Sequence, residues 1–412
     1  MKKLLNIWPP FPIAIRYDAS AWGPFDMQNS VIAALQRHDR VTDIQLTASE
    51  SYELMPCFEM MDRPLLALTN LSLEMTEDDD SIVPDNFLGG HAPSLRTLLL
   101  KRIAFPALPT LLLSTTQLVT LRISSIPTIG YISPRVMATC LAALPNLKQL
   151  DLKFHSPDIS TDIGEDIVQP SPPLPARVVL CSLVSFHFEG ISQYLEDFLA
   201  QIDTPVLQTL SATFHDTSTY IPQLLRLTNF AGGLSPPIRA IVEFDHSKVI
   251  LKLMPSNGFE LAIIYNKLRF SSVARICREF SSLVSRVERL ELQCSQLLLP
   301  SVLNRGVWLG LFQPFVAVQN LYVSAEVWPE VVRMLRDLIG ESTREVLPEL
   351  RILFVEKFRK SWDEQESIQS FIAARTLSNH PVVFQQCVAS DFKLLSFRGV
   401  LRSRLMQTND RP

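Results

Sequence analysis

A short apolar pattern recurs along the chain, with its residues spaced as apolar-x-x-apolar-x-apolar. Clear copies begin at Leu68, Leu95, Leu118, Leu147, Leu183, Val287, Val318 and Leu350, and weaker copies begin at Val41 and Leu207. The end of each copy alternates in the manner of Leu150-Asp151-Leu152. Alternation of this kind is typical of a short strand with one buried face. We therefore expect a strand in every copy.

The spacing of the copies indicates a true repeat. From Val41 to Leu207 the first positions lie 27, 27, 23, 29, 36 and 24 residues apart, and leucine-rich repeats run about 20 to 29 residues. Helical segments are predicted between the strands, where Ser133 and Ser192 are candidate N-caps and Pro134 follows the first of them. The sequence thus predicts an α/β fold, an irregular leucine-rich-repeat solenoid with parallel strands on the concave face and helices on the convex face.

Interruptions of the pattern suggest how the chain is organised. We expect an N-terminal capping segment (1–39), two halves of the solenoid (40–230 and 275–380), a hairpin insertion (231–274) and a divergent, flexible tail (381–412). Three strand-like runs predict an antiparallel excursion near 238–265, and the turn Pro255-Ser256-Asn257-Gly258 joins the last two of them. The proline-rich stretch 156–177 is predicted to be an inserted loop, with a docking peptide as the alternative.

Composition narrows the classes of function. Hydrophobic residues make up 47% and charged residues 19% of the chain, which favours a folded core. With 38 basic and 42 acidic side chains the net charge is −4, so we expect no nucleic-acid partner. The six cysteines are scattered singly, which favours reduced thiols and no zinc site. Prolines interrupt the first apolar run and no span-length apolar stretch follows, so we expect no membrane partner and a cytoplasmic or nuclear location.

The sequence offers little for catalysis or cofactor binding. The sequence contains no glycine-rich phosphate loop, HExxH helix or GxSxG elbow. The pairs His215-Asp216 and Asp245-His246 lack a placed nucleophile, and the acidic run 77–80 lacks the ligand spacing of a calcium loop. We therefore predict that the protein is not an enzyme and has no catalytic residues, cofactor or metal.

Binding is expected on the concave face, where outward side chains alternate with the buried ones. Aromatic and arginine side chains dominate protein interfaces, which favours Arg122, Arg289, Tyr322 and Phe354. An apolar side chain on an exposed strand, such as Leu99, needs a partner or a covering loop. The alternative is that these side chains merely face solvent. The candidate partner-binding residues are Leu99, Lys101, Arg122, Asp151, Lys153, His187, Glu189, Arg289, Glu291, Tyr322, Phe354 and Glu356.

Several phrases of the sequence resemble a family of fungal (basidiomycete) F-box/leucine-rich-repeat proteins. The resemblance covers about residues 5–380 and rests on 8–13, Phe87-Leu88-Gly89-Gly90, 92–96, 106–114, 130–134, 194–197 and 367–375. It implies a substrate receptor of a cullin ubiquitin ligase, in which an F-box binds an Skp-type adaptor and the repeats hold the protein substrate. The resemblance is to the repeat region, with the F-box itself absent, so an Skp-type adaptor is expected only if an upstream F-box exists.

The leading hypothesis is therefore recognition of a protein substrate for ubiquitination. An alternative is a standalone leucine-rich-repeat scaffold that does not dock to a ligase. A remote alternative is an unrecognised hydrolase that uses one of the His/Asp pairs.

Overall fold

The structure is a computed structural model of the 412-residue chain. It describes residues 11–19, 24–77, 81–154, 177–216, 221–230, 237–245, 248–255, 260–266, 271–294, 305–337, 346–356 and 362–387. The chain forms two compact units. Unit 1 comprises Met1–Thr209 and Pro222–Leu227, and unit 2 comprises Leu210–Ile221 and Thr228–Pro412.

Strands and helices alternate in both units. The first elements are β1 (Ile13–Asp18), α1 (Pro24–Leu35), β2 (Val41–Ala48), α2 (Ser51–Glu59), β3 (Asn70–Met75), β4 (Thr97–Lys101), α3 (Leu108–Ser114), β5 (Thr120–Ile126), α4 (Pro134–Leu141), β6 (Gln149–Phe154), β7 (Val178–Val179), β8 (Ser185–Gly190), α5 (Ser192–Leu199) and β9 (Ile202–Asp203). The remaining elements are β10 (Thr209–Phe214), α6 (Pro222–Phe230), β11 (Pro237–Phe244), β12 (Lys248–Pro255), β13 (Glu260–Asn266), α7 (Ser271–Glu279), α8 (Ser281–Val284), β14 (Arg289–Cys294), α9 (Arg305–Phe312), β15 (Asn320–Val323), α10 (Trp328–Asp337), β16 (Ile352–Glu356), α11 (Trp362–Leu377) and β17 (Val383–Cys387). Each of the ten predicted copies of the pattern coincides with one of these strands.

Unit 1 is built on a parallel sheet in the order β1-β2-β3-β4-β5-β6-β8, with β7 and β9 paired separately. Two rows of buried apolar side chains cross these seven strands in register. One row is Ile15, Ile44, Leu71, Leu98, Leu121, Leu150 and Phe186, and the other is Tyr17, Leu46, Leu73, Leu100, Ile123, Leu152 and Phe188. Burying one such side chain contributes about 2 kcal/mol, so the stacked rows are the main stabilising element of the unit.

One of the two predicted helix caps is confirmed. Ser133 caps α4 as predicted, because its hydroxyl accepts the amide of Val136. The prediction for Ser192 was wrong: Ile191 occupies the N-cap position and α5 begins at Ser192. The turn Phe87–Gly90 needs its glycines, because Gly89 and Gly90 adopt φ of 56° and 67°, a region that other residues rarely adopt.

Unit 2 contains the predicted antiparallel excursion. Its strands lie in the order β10-β13-β12-β11-β14-β15-β16-β17. Strand β12 runs antiparallel to both β11 and β13, whereas β11 and β14 to β17 pair in parallel. The hairpin prediction is therefore confirmed for its strands, and residues 256–258 of the predicted turn lie outside the described residues.

Strands also form at both ends of the chain, where sequence reasoning predicted none. Strand β1 lies inside the predicted capping segment and pairs in parallel with β2. Strand β17 falls within the predicted flexible tail and pairs in parallel with β16, so for 383–387 that prediction was wrong. The inserted loop predicted at 156–177 and the remainder of the tail lie outside the described residues, apart from Arg177.

Candidate protein-recognition surface

The outward side chains of unit 1 form what we call the polar face, three rows that cross the seven parallel strands in register. The rows are Ala14, Asp43, Asn70, Thr97, Thr120, Gln149 and Ser185; Arg16, Gln45, Ser72, Leu99, Arg122, Asp151 and His187; and Asp18, Thr47, Glu74, Lys101, Ser124, Lys153 and Glu189. All are exposed or partly exposed. Parallel sheets are normally covered on both faces, so a parallel sheet with an open polar face calls for an explanation.

Charges on the polar face pair with one another. The ammonium of Lys101 binds the carboxylate of Glu74 on the neighbouring strand. Lys153 Nζ lies 3.6 Å from Asp151 Oδ2. Exposed ion pairs of this kind contribute only about 0–1 kcal/mol to stability. Their main effect is to leave the face close to electrically neutral.

Leu99 and Arg122 lie next to each other at the centre of the polar face. The two residues are cross-strand partners on β4 and β5, with Asp151 as the next residue of the same row. Leu99 is half-buried and Arg122 is exposed. Arginine is enriched among the residues that contribute most to protein interfaces, which favours Arg122 as a contact residue.

The predicted residues of unit 1 are thus brought together on four adjacent strands. Leu99 and Lys101 lie on β4, and the others lie on β5, β6 and β8: Arg122, Asp151, Lys153, His187 and Glu189. His187 is exposed, and its Nε2 lies 3.1 Å from the hydroxyl of Ser185 on the same strand. This contact orients the imidazole ring of His187 toward Ser185.

In unit 2 the same alternation leads to a different environment. The side chains of Glu291 and Tyr322 are buried, with 0% and 5% of their surface exposed. The expectation that they lie accessible to a partner was therefore wrong. Both residues do occupy outward positions of β14 and β15, as the pattern predicted, but neighbouring side chains cover them.

Two arginines enclose the carboxylate of Glu291. Arg239 Nε lies 2.6 Å from Glu291 Oε1, and Arg239 Nη2 donates to Oε2 at 2.8 Å. Arg289 Nε lies 2.9 Å from Oε1, and Gln293 Nε2 donates to Oε2 at 3.2 Å. Buried charged groups are stable only when they are paired. Glu291, Arg239, Arg289 and Gln293 therefore form one ion-paired group, the unit 2 cluster.

A stack of flat side chains continues from this cluster. The guanidinium of Arg289 lies 4.1 Å above the ring centre of Tyr322, and the rings of Tyr322 and Phe354 stack at 4.3 Å and 8°. Burial raises the pKa of Tyr322, although Arg289 opposes that rise. Phe354 is only partly buried. It is therefore the ring of this stack that solvent or a partner can reach.

Glu356 is tied into the backbone of unit 2. Its Oε2 accepts the amide of Ala325 at 3.2 Å, directly after β15. The side chain is partly exposed. This contact fixes the turn, so Glu356 has a structural role that the strand pattern did not reveal.

Sequence reasoning missed Arg239, which carries part of the unit 2 cluster. The register pairs Arg239 of β11 with Arg289 of β14, so the two guanidiniums reach the same carboxylate. The alternation in β11 places Arg239 outward, but the neighbour of β11 could not be read from the sequence. Knowledge that β11 pairs with β14 would have placed Arg239 beside Arg289.

The described ranges also bear on metal binding and on thiol chemistry. Within them, no group of three or more His, Cys, Asp or Glu side chains is arranged to hold a metal ion. Among the cysteines, Cys181 is exposed, whereas Cys57 and Cys277 are buried. Burial raises the pKa of Cys57 to about 11 and that of Cys277 to about 12. Among the described helices, none has the length and apolar character required to cross a membrane.

Comparisons with known proteins add no assignment. The sequence matches no protein-family model and no curated protein.

Proposed function

We propose that the chain is a protein-recognition module of the leucine-rich-repeat type that binds another protein through the polar face of unit 1. The observation that carries the proposal is the set of three polar rows in register across seven parallel strands. A parallel sheet that is apolar on one side and polar on the other leaves one broad surface for a partner. Repeat proteins use such strand-lined surfaces for binding.

The dimensions of the polar face favour a macromolecular partner. With strands about 4.8 Å apart and five residues long, the sheet surface is roughly 30 Å by 17 Å, or about 500 Å². A standard protein interface buries about 800 Å² on each partner. The partner would therefore cover the sheet and also touch the loops beside it, with Leu99 and Arg122 near the centre.

We further propose that the bound protein is a substrate for ubiquitination. This step is supported by the resemblance of the sequence to F-box/leucine-rich-repeat proteins, in which the repeats select the substrate and an F-box binds the adaptor. The alternative is a scaffold that binds its partner without ligase docking. The two functions share the same recognition surface and differ only in adaptor binding.

Binding by the polar face is tested with two matched double variants. Leu99→Ser with Arg122→Glu alters the polar face, whereas Leu113→Ser with Arg135→Glu makes the same changes at exposed helical positions. Proteins captured from the native cell by each variant are quantified by mass spectrometry. We expect a partner that is retained by the helical variant and lost by the face variant. Equal retention or equal loss would contradict the proposal.

Ligase docking is tested separately with the product of the complete transcript. An Skp-type adaptor and a cullin should co-purify with it at a fixed ratio. Capture of the face-dependent partner without any adaptor would instead establish the scaffold function.

A further inference from the structure

Four exposed apolar side chains lie on loops that follow strands of unit 1. Ile82 is 41% exposed, Ile129 57%, Tyr131 42% and Ile191 37%. They come after β3, β5 and β8, so all four lie at the carboxyl edge of the sheet, where the parallel strands end. Single apolar side chains on a surface are ordinary, whereas a large contiguous patch marks a contact site. Their meaning therefore depends on whether they form one patch.

The loop between β5 and α4 lies directly against the segment that follows β4. Ile82 forms a parallel bridge with Ala104 of that segment. A Cβ built on Gly130 would lie only 3.0 Å from the Cα of Ala104, so Gly130 packs on the same residue. Ile129 and Tyr131 flank Gly130 in the sequence. The three exposed residues before and after this glycine and at the bridge therefore lie on adjoining segments.

An aromatic cluster extends the patch to the loop after β8. The ring centre of Tyr131 lies 6.1 Å from that of Phe154 at the end of β6 and 5.9 Å from that of Tyr194 on α5. A Cβ built on Gly190 would lie 3.1 Å from the ring of Phe154, and Ile191 follows Gly190 directly. We call the exposed residues, together with the partly exposed Phe154, the apolar ridge: Ile82, Ile129, Tyr131, Phe154 and Ile191.

The loop that carries the centre of the apolar ridge is held in place from both sides. The hydroxyl of the buried Tyr194 donates to the carbonyl of Ile132 at 3.0 Å, and Ser133 caps α4 immediately afterwards. Ordering a mobile loop on binding costs free energy, and a loop that is already held avoids that cost. Ile129 and Tyr131 are therefore exposed side chains on a loop that is prepared for contact.

The amino edge of the sheet, where the strands begin, has a different character. The loops that lead into β5 and β6 expose polar side chains, among them Thr116, Gln117 and Asn146. Two exposed apolar residues of this edge, Leu66 and Val206, lie far apart, with four copies of the repeat between them. Among the described residues, the contiguous apolar patch thus borders the polar face at its carboxyl edge.

We propose, on the basis of the proposed function of the polar face, that the apolar ridge completes the recognition surface and binds an apolar segment of the same partner. The two surfaces are continuous. The outer row of the polar face includes Lys153 of β6 and Glu189 of β8; Phe154 follows the first directly, and Gly190 and Ile191 follow the second. The partner is therefore a folded protein whose contact surface is polar over the sheet and apolar where it crosses the carboxyl edge.

The exposed area of the apolar ridge agrees with this assignment. At ordinary side-chain areas the exposed fractions amount to about 300 Å² of apolar surface. The polar face offers about 500 Å², and a standard interface buries about 800 Å² on each partner. The ridge thus supplies the area that the sheet lacks. It is too small to hold a second copy of the chain by itself, which favours a partner that spans both surfaces.

Two matched double variants test the apolar ridge. Ile129→Ser with Ile191→Ser removes two of its side chains, and serine is a favoured residue at the N-cap position that Ile191 occupies. Leu66→Ser with Val206→Ser makes similar changes at the amino edge, at similar exposure. The partner that is lost by the face variant is purified and titrated against each chain by calorimetry. We expect roughly 10-fold weaker binding by the ridge variant and unchanged binding by the amino-edge variant.

Hydroxyl-radical footprinting provides a second readout that needs no substitution. The probe is the complex that the unaltered chain carries when it is purified from the native cell, compared with the chain alone. Oxidation reports the accessibility of a tyrosine side chain. The oxidation of Tyr131 should fall severalfold in the complex, whereas that of Tyr52, which is 65% exposed on α2, should not change.

The possible results distinguish the apolar ridge from the polar face. Equal binding by the ridge and amino-edge variants, or unchanged oxidation of Tyr131 in the complex, would overturn the role of the ridge and leave recognition by the polar face standing. Absence of any partner that depends on the polar face would overturn both.

Discussion

Removing the charge of Glu291 tests whether the unit 2 cluster stabilises the folded state of unit 2. The substitution Glu291→Gln preserves the shape of the side chain and one oxygen acceptor. It removes the negative charge that lies 2.6 Å from Arg239 Nε and 2.9 Å from Arg289 Nε. Both guanidiniums remain in place at low exposure, because their side chains are only 15% and 18% exposed.

The size of the effect follows from that burial. Two unit charges 4 Å apart attract by about 4 kcal/mol at an effective dielectric constant of 20. Breaking a buried pair by altering one partner typically destabilises a protein by about 3–5 kcal/mol. Since the amide of glutamine keeps part of the hydrogen bonding, we expect Glu291→Gln to lower the free energy of unfolding of unit 2 by about 3 kcal/mol.

Urea unfolding followed by tryptophan fluorescence measures this loss, because Trp308 and Trp328 are buried in unit 2. A loss of about 3 kcal/mol corresponds to a midpoint roughly 1 M lower in urea. The control is Glu288→Gln, which removes the same charge from an exposed position just before β14 and should change stability by less than about 0.5 kcal/mol. If both variants unfold at the same urea concentration, the charge of Glu291 does not stabilise unit 2 and the reasoning fails.

Two further predictions concern unit 1 packing and thiol access. Gly190→Ala places a Cβ 2.9 Å from the ring of Phe188, so we expect a loss of roughly 1–3 kcal/mol; unchanged hydrogen exchange in β8 would contradict this close approach. Cys181 should react first with a thiol reagent at neutral pH, because it is exposed whereas the buried Cys277 has a pKa raised to about 12; a Cys181→Ser chain that keeps the fast phase would contradict this assignment.

The regular part of the fold could be predicted because one physical signal dominates it. Apolar residues at alternate positions must share a buried face, so each copy of the pattern identified a strand and its inward side chains. In β5, for example, Leu121 and Ile123 are buried and Arg122 is exposed, as expected. Equivalent positions of successive copies then align in register although the spacing of the copies varies, so Leu99, Arg122 and Asp151 form one row.

The environment of an outward position could not be predicted in the same way. Alternation states which side of the sheet a residue occupies, but not what lies over it. Arg122 and Glu291 both lie outward, yet one is exposed and the other is enclosed by arginines. Arg239 precedes Arg289 by fifty positions in the sequence, and only the strand order of the insertion makes them neighbours. Glu196 of α5, whose carboxylate accepts the backbone amides of Gln223 and Leu224 at the start of α6, also depends on contacts between distant positions.

The insertion and the ion cluster have a common origin in strand direction. Between β10 and β14 the sheet holds three strands in reversed order, β13-β12-β11, and β12 runs antiparallel to both of its neighbours. Because β12 is antiparallel to both β11 and β13, those two strands run in the same direction. Strand β11 then pairs in parallel with β14. That pairing sets Arg239 beside Arg289, and two adjacent guanidiniums at low exposure require an anion. Glu291, the next outward residue of β14, provides it. The charge cluster is therefore the electrostatic consequence of joining an antiparallel insertion to a parallel sheet.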